Sequence, residues 1–134
     1  MIIALRRIET VLALALAWIL VFVVPLRRTQ ALLRRLSAPA TVTSAADQGD
    51  SACAVARRVV WIADRLPWHS TCLVRAIAGF LLLARRRVGG VSIRIGVRRA
   101  EGRIDAHAWL LRGAEILLGG GETDTYAPLA DLGG

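Results

Sequence analysis

Two residues of this sequence have the chemical types that nucleophilic catalysis requires. Cys72 follows Ser70 and Thr71 at the start of an apolar run, and His107 lies in a later segment of alternating residues. Acyl transfer by cysteine needs a thiolate and a base that generates it and then protonates the leaving amine. A further group that orients the base improves such a site. Cys72 as nucleophile and His107 as base are therefore the first candidate catalytic pair.

The segment after Thr71 predicts the helix that would position the nucleophile. Its apolar residues recur at helical spacing as far as the arginine triplet 85–87, and Ser70 or Thr71 supplies a capping hydroxyl. Cys72 then lies in the first helical turn, where the helix dipole and unpaired backbone N–H groups favour the thiolate. One of these N–H groups could also hold an oxyanion.

The C-terminal half predicts a small antiparallel sheet. Residues 91–97 alternate between apolar and polar types, a turn over 98–103 contains Gly102, and a hairpin is expected at Gly113. We expect three strands, at 91–97, 105–111 and 114–118, followed by a short ordered tail at 126–132. Because helices precede the strands, the predicted fold class is α+β, with N-terminal helices followed by a small antiparallel sheet.

The N-terminal half predicts a hydrophobic helical segment at 1–36, a linker at 37–51 and a catalytic domain at 52–134 that begins with a helix. Residues 11–26 are almost continuously apolar, contain Pro25 and have an arginine pair on each side. This stretch either packs on the domain or a partner protein, or acts as a marginal membrane anchor, since it is shorter than the roughly 20 residues of a membrane span. Both alternatives stay open.

Charge restricts the partner classes only weakly. The net charge is +8, and all 18 basic residues are arginine, which suits acidic peptides, nucleic acid and anionic lipid alike. Few aromatic residues lie between the arginine pairs to stack on bases, so nucleic acid is not an expected partner.

The two cysteines, Cys53 and Cys72, predict reduced thiols in a cytosol rather than a disulfide framework. Cys53 is expected to be a small, partly buried side chain. His69 lies three residues before Cys72, but no second pair of cysteines or histidines accompanies it. Neither a metal nor another cofactor is therefore expected.

Three motifs occur in order along the chain: P-x4-C-L from Pro67 to Leu73, a hydrophobic strand that ends in Gly96-Val97, and A-H-A-W at 106–109. Together they resemble the transglutaminase-like B protein of lasso-peptide biosynthesis over roughly residues 52–132. The resemblance implies a transglutaminase-like or papain-like cysteine peptidase core with Cys72 and His107 in the catalytic roles. It also implies an activity, removal of the leader from a lasso-peptide precursor before macrocyclisation.

The resemblance implies partners as well. These are the precursor peptide, an ATP-dependent cyclase similar to asparagine synthetase and, in the split form of the system, a separate leader-recognition protein. The residues before 52 are too few and have the wrong pattern for a leader-recognition domain, so the chain resembles the split form. The expected location is the bacterial cytoplasm, with membrane contact through the N-terminal helix left open.

The third catalytic residue of that family, an acid after the histidine, has no clear counterpart, because the nearest position by spacing falls in 119–121, three glycines. Glu122 and Asp124 follow closely and rank first, Asp105 is the next candidate, and a dyad without an acid stays open. Trp109 could line the substrate cleft, although a strand tryptophan more often packs in the core.

Two other function classes also stay open. A non-catalytic, membrane-associated scaffold for the lasso-peptide maturation complex would have an unreactive Cys72 and an apolar segment that partitions into lipid. An arginine-rich nucleic-acid binder would show steeply salt-dependent affinity.

Overall fold

The computed structural model describes residues 2–36, 45–66, 71–120 and 125–132. The described chain forms four helices and then an antiparallel sheet with the strand order β3-β2-β1-β4. The predicted α+β class is confirmed. The elements are α1 (Ile2–Phe22), α2 (Leu26–Leu36), α3 (Ala45–Ala63), α4 (Cys72–Arg85), β1 (Val91–Ala100), β2 (Arg103–Arg112), β3 (Glu115–Leu118) and β4 (Ala127–Leu132).

Helix α4 lies at the centre of the fold, in contact with the three other helices and with β1 and β2. Its apolar residues are buried along most of its length, which is why its sequence is apolar on more than one face. This packing fixes the N-terminal end of α4 against the sheet. Fully buried side chains come from every layer: Leu14, Leu33, Val55, Val59, Ile77, Phe80, Leu83, Ile93 and Leu110.

Helix α1 packs on α3 and α4 through one face, where Thr10, Leu14 and Ala17 are completely buried. It ends before Pro25, as expected for a residue that cannot continue a helix. The hydroxyl of Thr29 donates a buried hydrogen bond of 2.8 Å to the carbonyl of Leu20, which fixes α2 against α1. Packing of the apolar segment on the domain is therefore observed. None of the described helices combines the length and the apolarity that crossing a membrane requires.

The sheet has one strand more than the sequence predicted. Residues 127–132, expected as part of an ordered tail, form β4, which pairs with β1. Arg94 and Asp131 are register partners, and Arg94 Nε donates to Asp131 Oδ1 at 3.0 Å. Because β4 is an edge strand with mostly exposed side chains and contains Pro128, it lacks the alternating pattern that identified the other strands.

Two further boundaries differ from the prediction. Helix α3 begins at Ala45, inside the predicted linker 37–51, because Ala45, Ala46 and Gln48 favour helix and continue into the next predicted helix. Strand β1 extends to Ala100, so the turn predicted over 98–103 is shorter. It consists of Glu101 and Gly102, both with positive φ (52° and 75°), as in a two-residue hairpin.

Candidate active site

The N-terminus of α4 presents Cys72 to the sheet. Thr71 is the N-cap, with an extended backbone (φ −78°, ψ 168°), and its hydroxyl accepts a hydrogen bond of 3.3 Å from the Val74 N–H. Of the two predicted capping residues, Thr71 thus fills the position, and Ser70 lies outside the described residues. Cys72 is the first residue of the helix, where the backbone dipoles favour a negative charge.

The thiol of Cys72 lies against the backbone of β2. Its Sγ is half-buried and accepts a hydrogen bond of 3.4 Å from the Ala108 N–H. Strand β3 pairs with β2 only as far as Leu118 opposite Leu110, so the Ala108 N–H lies beyond the end of β3 and is available to the sulfur. The sheet thus supplies a backbone donor to the sulfur, in addition to the N–H groups at the start of α4.

His107 is held by a backbone carbonyl. Its Nε2 lies 2.6 Å from the carbonyl oxygen of Gly119. Since a carbonyl only accepts, Nε2 carries the proton, and the neutral imidazole keeps its lone pair on Nδ1. The ring stacks on Trp109 with centroids 5.8 Å apart and is inclined to Tyr126 at 5.5 Å. Orientation and tautomer are thus both fixed, which is what a general base requires.

Gly119 approaches β2 so closely because it is glycine. Its φ of +79° is a left-handed conformation that other residues rarely adopt. A Cβ at this position would lie 2.9 Å from the Ala108 carbonyl oxygen and 3.0 Å from the Cα of Trp109. A larger residue would push residue 119 away from β2, and its carbonyl would move away from His107.

Trp109 is a buried side chain that packs against His107. Its side chain is only 3 % exposed, and the indole covers Gly96 on β1, where an added Cβ would lie 2.7 Å from Cη2. The absence of a side chain at Gly96 therefore leaves space for the indole, and the indole packs against the imidazole of His107. Packing is the role that these contacts show, and substrate contact by Trp109 stays a prediction.

Of the three predicted acids, Asp105 lies among the described residues, and it does not contact His107. Glu122 and Asp124 lie outside that part of the chain. Asp105 is exposed and forms an ion pair with Arg98, its register partner, with Oδ2 3.4 Å from Nη2. The orienting group that the described residues provide is therefore the carbonyl of Gly119. In the same part of the chain, no three His, Cys, Asp or Glu side chains are grouped as a metal site requires.

Cys72 and His107 are related through the backbone of β2. The thiol contacts the N–H of Ala108, the residue that follows His107. In the described structure the imidazole and the thiol each bond to a backbone group and not to each other. A bond between nucleophile and base often forms only once substrate is bound. A half-buried sulfur at a helix start beside an oriented imidazole is an arrangement suited to cysteine acyl transfer.

A family model described as the transglutaminase-like superfamily matches residues 16–131. The chain belongs to the transglutaminase-like superfamily. The match includes the C-terminal third of α1 and every later helix and strand of the transglutaminase-like domain up to Asp131. Neither a curated protein nor a solved structure matches the chain.

Sequence reasoning missed three groups of this transglutaminase-like site: the Gly119 carbonyl, the Ala108 N–H and the ring of Tyr126. Two of them are backbone groups, which leave no side-chain signature in a sequence. The one available signal was the glycine run 119–121 at the place expected for an acid. Tyr126 lies in the predicted tail, and no sequence pattern there indicates that its ring contacts His107.

Proposed function

We propose that this chain is a cysteine peptidase that removes the leader peptide from a lasso-peptide precursor before macrocyclisation. The observation that carries the proposal is that Cys72, at the start of α4, contacts the backbone of β2 at the residue next to an oriented His107. The family match supports the class of chemistry. The P-x4-C-L and A-H-A-W motifs support the narrower substrate class.

The first half of the proposed reaction forms a thioester. His107 takes the thiol proton on Nδ1, and the Cys72 thiolate attacks the carbonyl carbon of the last leader residue. Backbone N–H groups at the start of α4 stabilise the oxyanion. As the peptide bond breaks, His107 gives its proton to the core amine. The products are a leader thioester on Cys72 and a free core amine.

The second half hydrolyses the thioester. Water attacks its carbonyl carbon and loses a proton to Nδ1 of His107, and the leader leaves as a carboxylic acid while the thiol of Cys72 is restored. Throughout, the Gly119 carbonyl accepts the Nε2 hydrogen bond and stabilises the imidazolium, with less charge than a carboxylate would supply.

A groove beside the site offers a place for the precursor. Its volume is about 620 Å³, and Arg98 lies at its edge with the guanidinium 4.6 Å from the ring of Tyr126, which in turn contacts His107. The ring of Tyr126 therefore lies between the groove and His107. The arginines of the groove can pair with acidic side chains of a peptide. Its lining residues are Val97, Arg98, Arg99, Ile104, Thr125 and Ala127.

The proposal includes two protein partners in the bacterial cytoplasm. A separate leader-recognition protein delivers the precursor. An ATP-dependent cyclase similar to asparagine synthetase then consumes the free core amine, which it joins to a side-chain carboxylate of the core.

Mass spectrometry of a candidate precursor tests the proposal. The precursor is incubated with the leader-recognition protein and either the parent chain or Cys72→Ala. We expect separate leader and core masses with the parent alone. Cleavage by Cys72→Ala would show that Cys72 is not the nucleophile. No cleavage by either chain, with partner binding intact, would favour a non-catalytic, membrane-associated scaffold of the maturation complex.

A further inference from the structure

Helix α1 exposes apolar side chains along its whole length. They recur at spacings of three and four residues and are 44 to 67 % exposed, which is unusual for large aliphatic and aromatic residues on one surface. The helix has 21 residues and is therefore about 31 Å long at 1.5 Å per residue. We call this surface the apolar face. It consists of Leu5, Ile8, Leu12, Leu16, Ile19, Phe22 and Val23.

The charges around the apolar face have one sign. Residues 2–36 contain a single acid, Glu9, whose carboxylate is already bound by Arg86 at 3.0 Å and approached by Arg85 at 3.7 Å. The same residues contain six exposed arginines, two near the start of α1 and four on α2. The segment that carries the apolar face thus has a strong net positive charge. These arginines are Arg6, Arg7, Arg27, Arg28, Arg34 and Arg35.

Further arginines come together where α1 begins. An open cavity of about 350 Å³ is lined by Arg6, Arg7, Arg57 and Arg58. Burial, followed by the charges of Arg86 and Arg6, lowers the pKa of Arg58. Its Nη1 is buried and has no hydrogen-bond partner among the described residues. The start of α1 is therefore a region of concentrated positive charge.

A second copy of the chain would be a poor occupant of the apolar face. Pairing two such faces in a symmetric dimer would place the arginines of one copy near those of the other, with no free acid from residues 2–36 to oppose them. An anionic bilayer surface suits both the apolar face and the positive charge. Acyl chains would contact the apolar face, and lipid phosphates would pair with the arginines.

The orientation follows from the packing of α1. Thr10, Leu14 and Ala17 are completely buried against the domain, so lipid can reach only the opposite face. We propose that α1 binds the surface of an anionic phospholipid bilayer, with the helix parallel to the membrane plane and its apolar face at the boundary of headgroups and acyl chains. This inference stands apart from the proposed peptidase activity, since it uses neither Cys72 nor His107.

Co-sedimentation of the full chain with vesicles tests the proposal. We expect binding to vesicles of equimolar phosphatidylcholine and phosphatidylglycerol, and binding at least about tenfold weaker to phosphatidylcholine alone. Raising the salt concentration should weaken the binding to anionic vesicles. The double variant Leu12→Glu/Ile19→Glu should lose at least about tenfold in affinity, since it places two charges in the apolar face.

Leu129→Glu is the matched control, because Leu129 is equally exposed (67 %) but lies on β4. It should bind vesicles as the parent does. Arg27→Gln/Arg28→Gln is a second test that leaves the apolar face unchanged, and it should reduce the preference for anionic vesicles. Circular dichroism melting checks that each variant folds.

Three results would overturn the proposal. The first is no sedimentation with anionic vesicles. The second is undiminished binding by the folded Leu12→Glu/Ile19→Glu variant. The third is a dimer in analytical ultracentrifugation that these two substitutions dissociate while vesicle binding is absent, which would assign the apolar face to a second copy.

Discussion

The Nε2 atom of His107 donates a hydrogen bond to the carbonyl oxygen of Gly119 across 2.6 Å, and this bond fixes the tautomer of the proposed base. In a catalytic triad an acid or amide side chain occupies this position. A backbone carbonyl can orient the imidazole as well as a side chain can, but it carries only a partial negative charge. Among the described residues, the proposed base is therefore oriented by the main chain.

The tautomer can be measured directly. We expect ¹⁵N NMR of histidine-labelled protein, at a pH where the imidazole is neutral, to show His107 protonated on Nε2 and unprotonated on Nδ1. The chain has two histidines, so His69→Gln completes the assignment. A proton on Nδ1 would contradict the role given to the Gly119 carbonyl.

Gly119→Ala should lower kcat by about a hundredfold, because a displaced carbonyl no longer orients His107. Gly90→Ala is the matched control, since Gly90 has a similar φ of +75° but open space around an added Cβ. Both variants should lose about 1–2 kcal/mol of stability from the left-handed backbone, and Gly119→Ala should lose more because its Cβ would also clash with the Ala108 carbonyl. Chemical denaturation and steady-state kinetics separate the two effects, and equal kcat values for both variants would refute the positioning role.

Asp105 should matter little to the reaction. We expect Asp105→Asn to keep kcat/KM within about threefold of the parent, since Asp105 pairs with Arg98 on the surface. Glu122→Gln and Asp124→Asn test the two candidates that lie outside the described residues. A loss of about a hundredfold or more in one of the three variants would identify that residue as a third catalytic member.

The two cysteines should differ in reactivity. Cys72 lies at a helix N-terminus and accepts the Ala108 N–H, whereas Sγ of Cys53 lies 3.6 Å from a carboxylate oxygen of Glu115, which opposes a thiolate. Brief treatment with iodoacetamide at neutral pH, followed by peptide mapping, should therefore find Cys72 alkylated first. Preferential labelling of Cys53 would support the scaffold alternative.

Thr71 should contribute through the helix that carries the nucleophile. Thr71→Ala removes the cap on the Val74 N–H and should lower the free energy of unfolding by about 1 kcal/mol. Thr71→Ser keeps the hydroxyl and should restore most of that loss. Thermal or urea denaturation measures both, and identical stability of the Ala and Ser variants would show that the cap is unimportant.

The sequence predicted those parts of the site that depend on local patterns. Helical spacing and a capping hydroxyl predicted Cys72 at the start of α4, and the hairpin pattern after strand 91–97 predicted His107 on the second strand. Both patterns are strong because these elements are packed against the core.

The remaining features depend on contacts distant in sequence. Strand β4 has little alternation, because its side chains are mostly exposed, so it was expected to be a tail. The bonds of Gly119 and Ala108 involve main-chain atoms, whose partners are decided only when β2, β3 and α4 pack together. The glycines at the position expected for an acid indicated an unusual site. They did not show that the carbonyl of Gly119 would accept the hydrogen bond from His107.

The most direct test of the account is detection of the acyl-enzyme. The parent chain, mixed with the precursor and the leader-recognition protein and quenched in acid within the first turnover, should gain the mass of the leader minus one water, and peptide mapping should locate the adduct on Cys72. His107→Ala should show far less adduct. Leader release with no adduct, or an adduct on a residue other than Cys72, would contradict the central claim that Cys72 is the nucleophile.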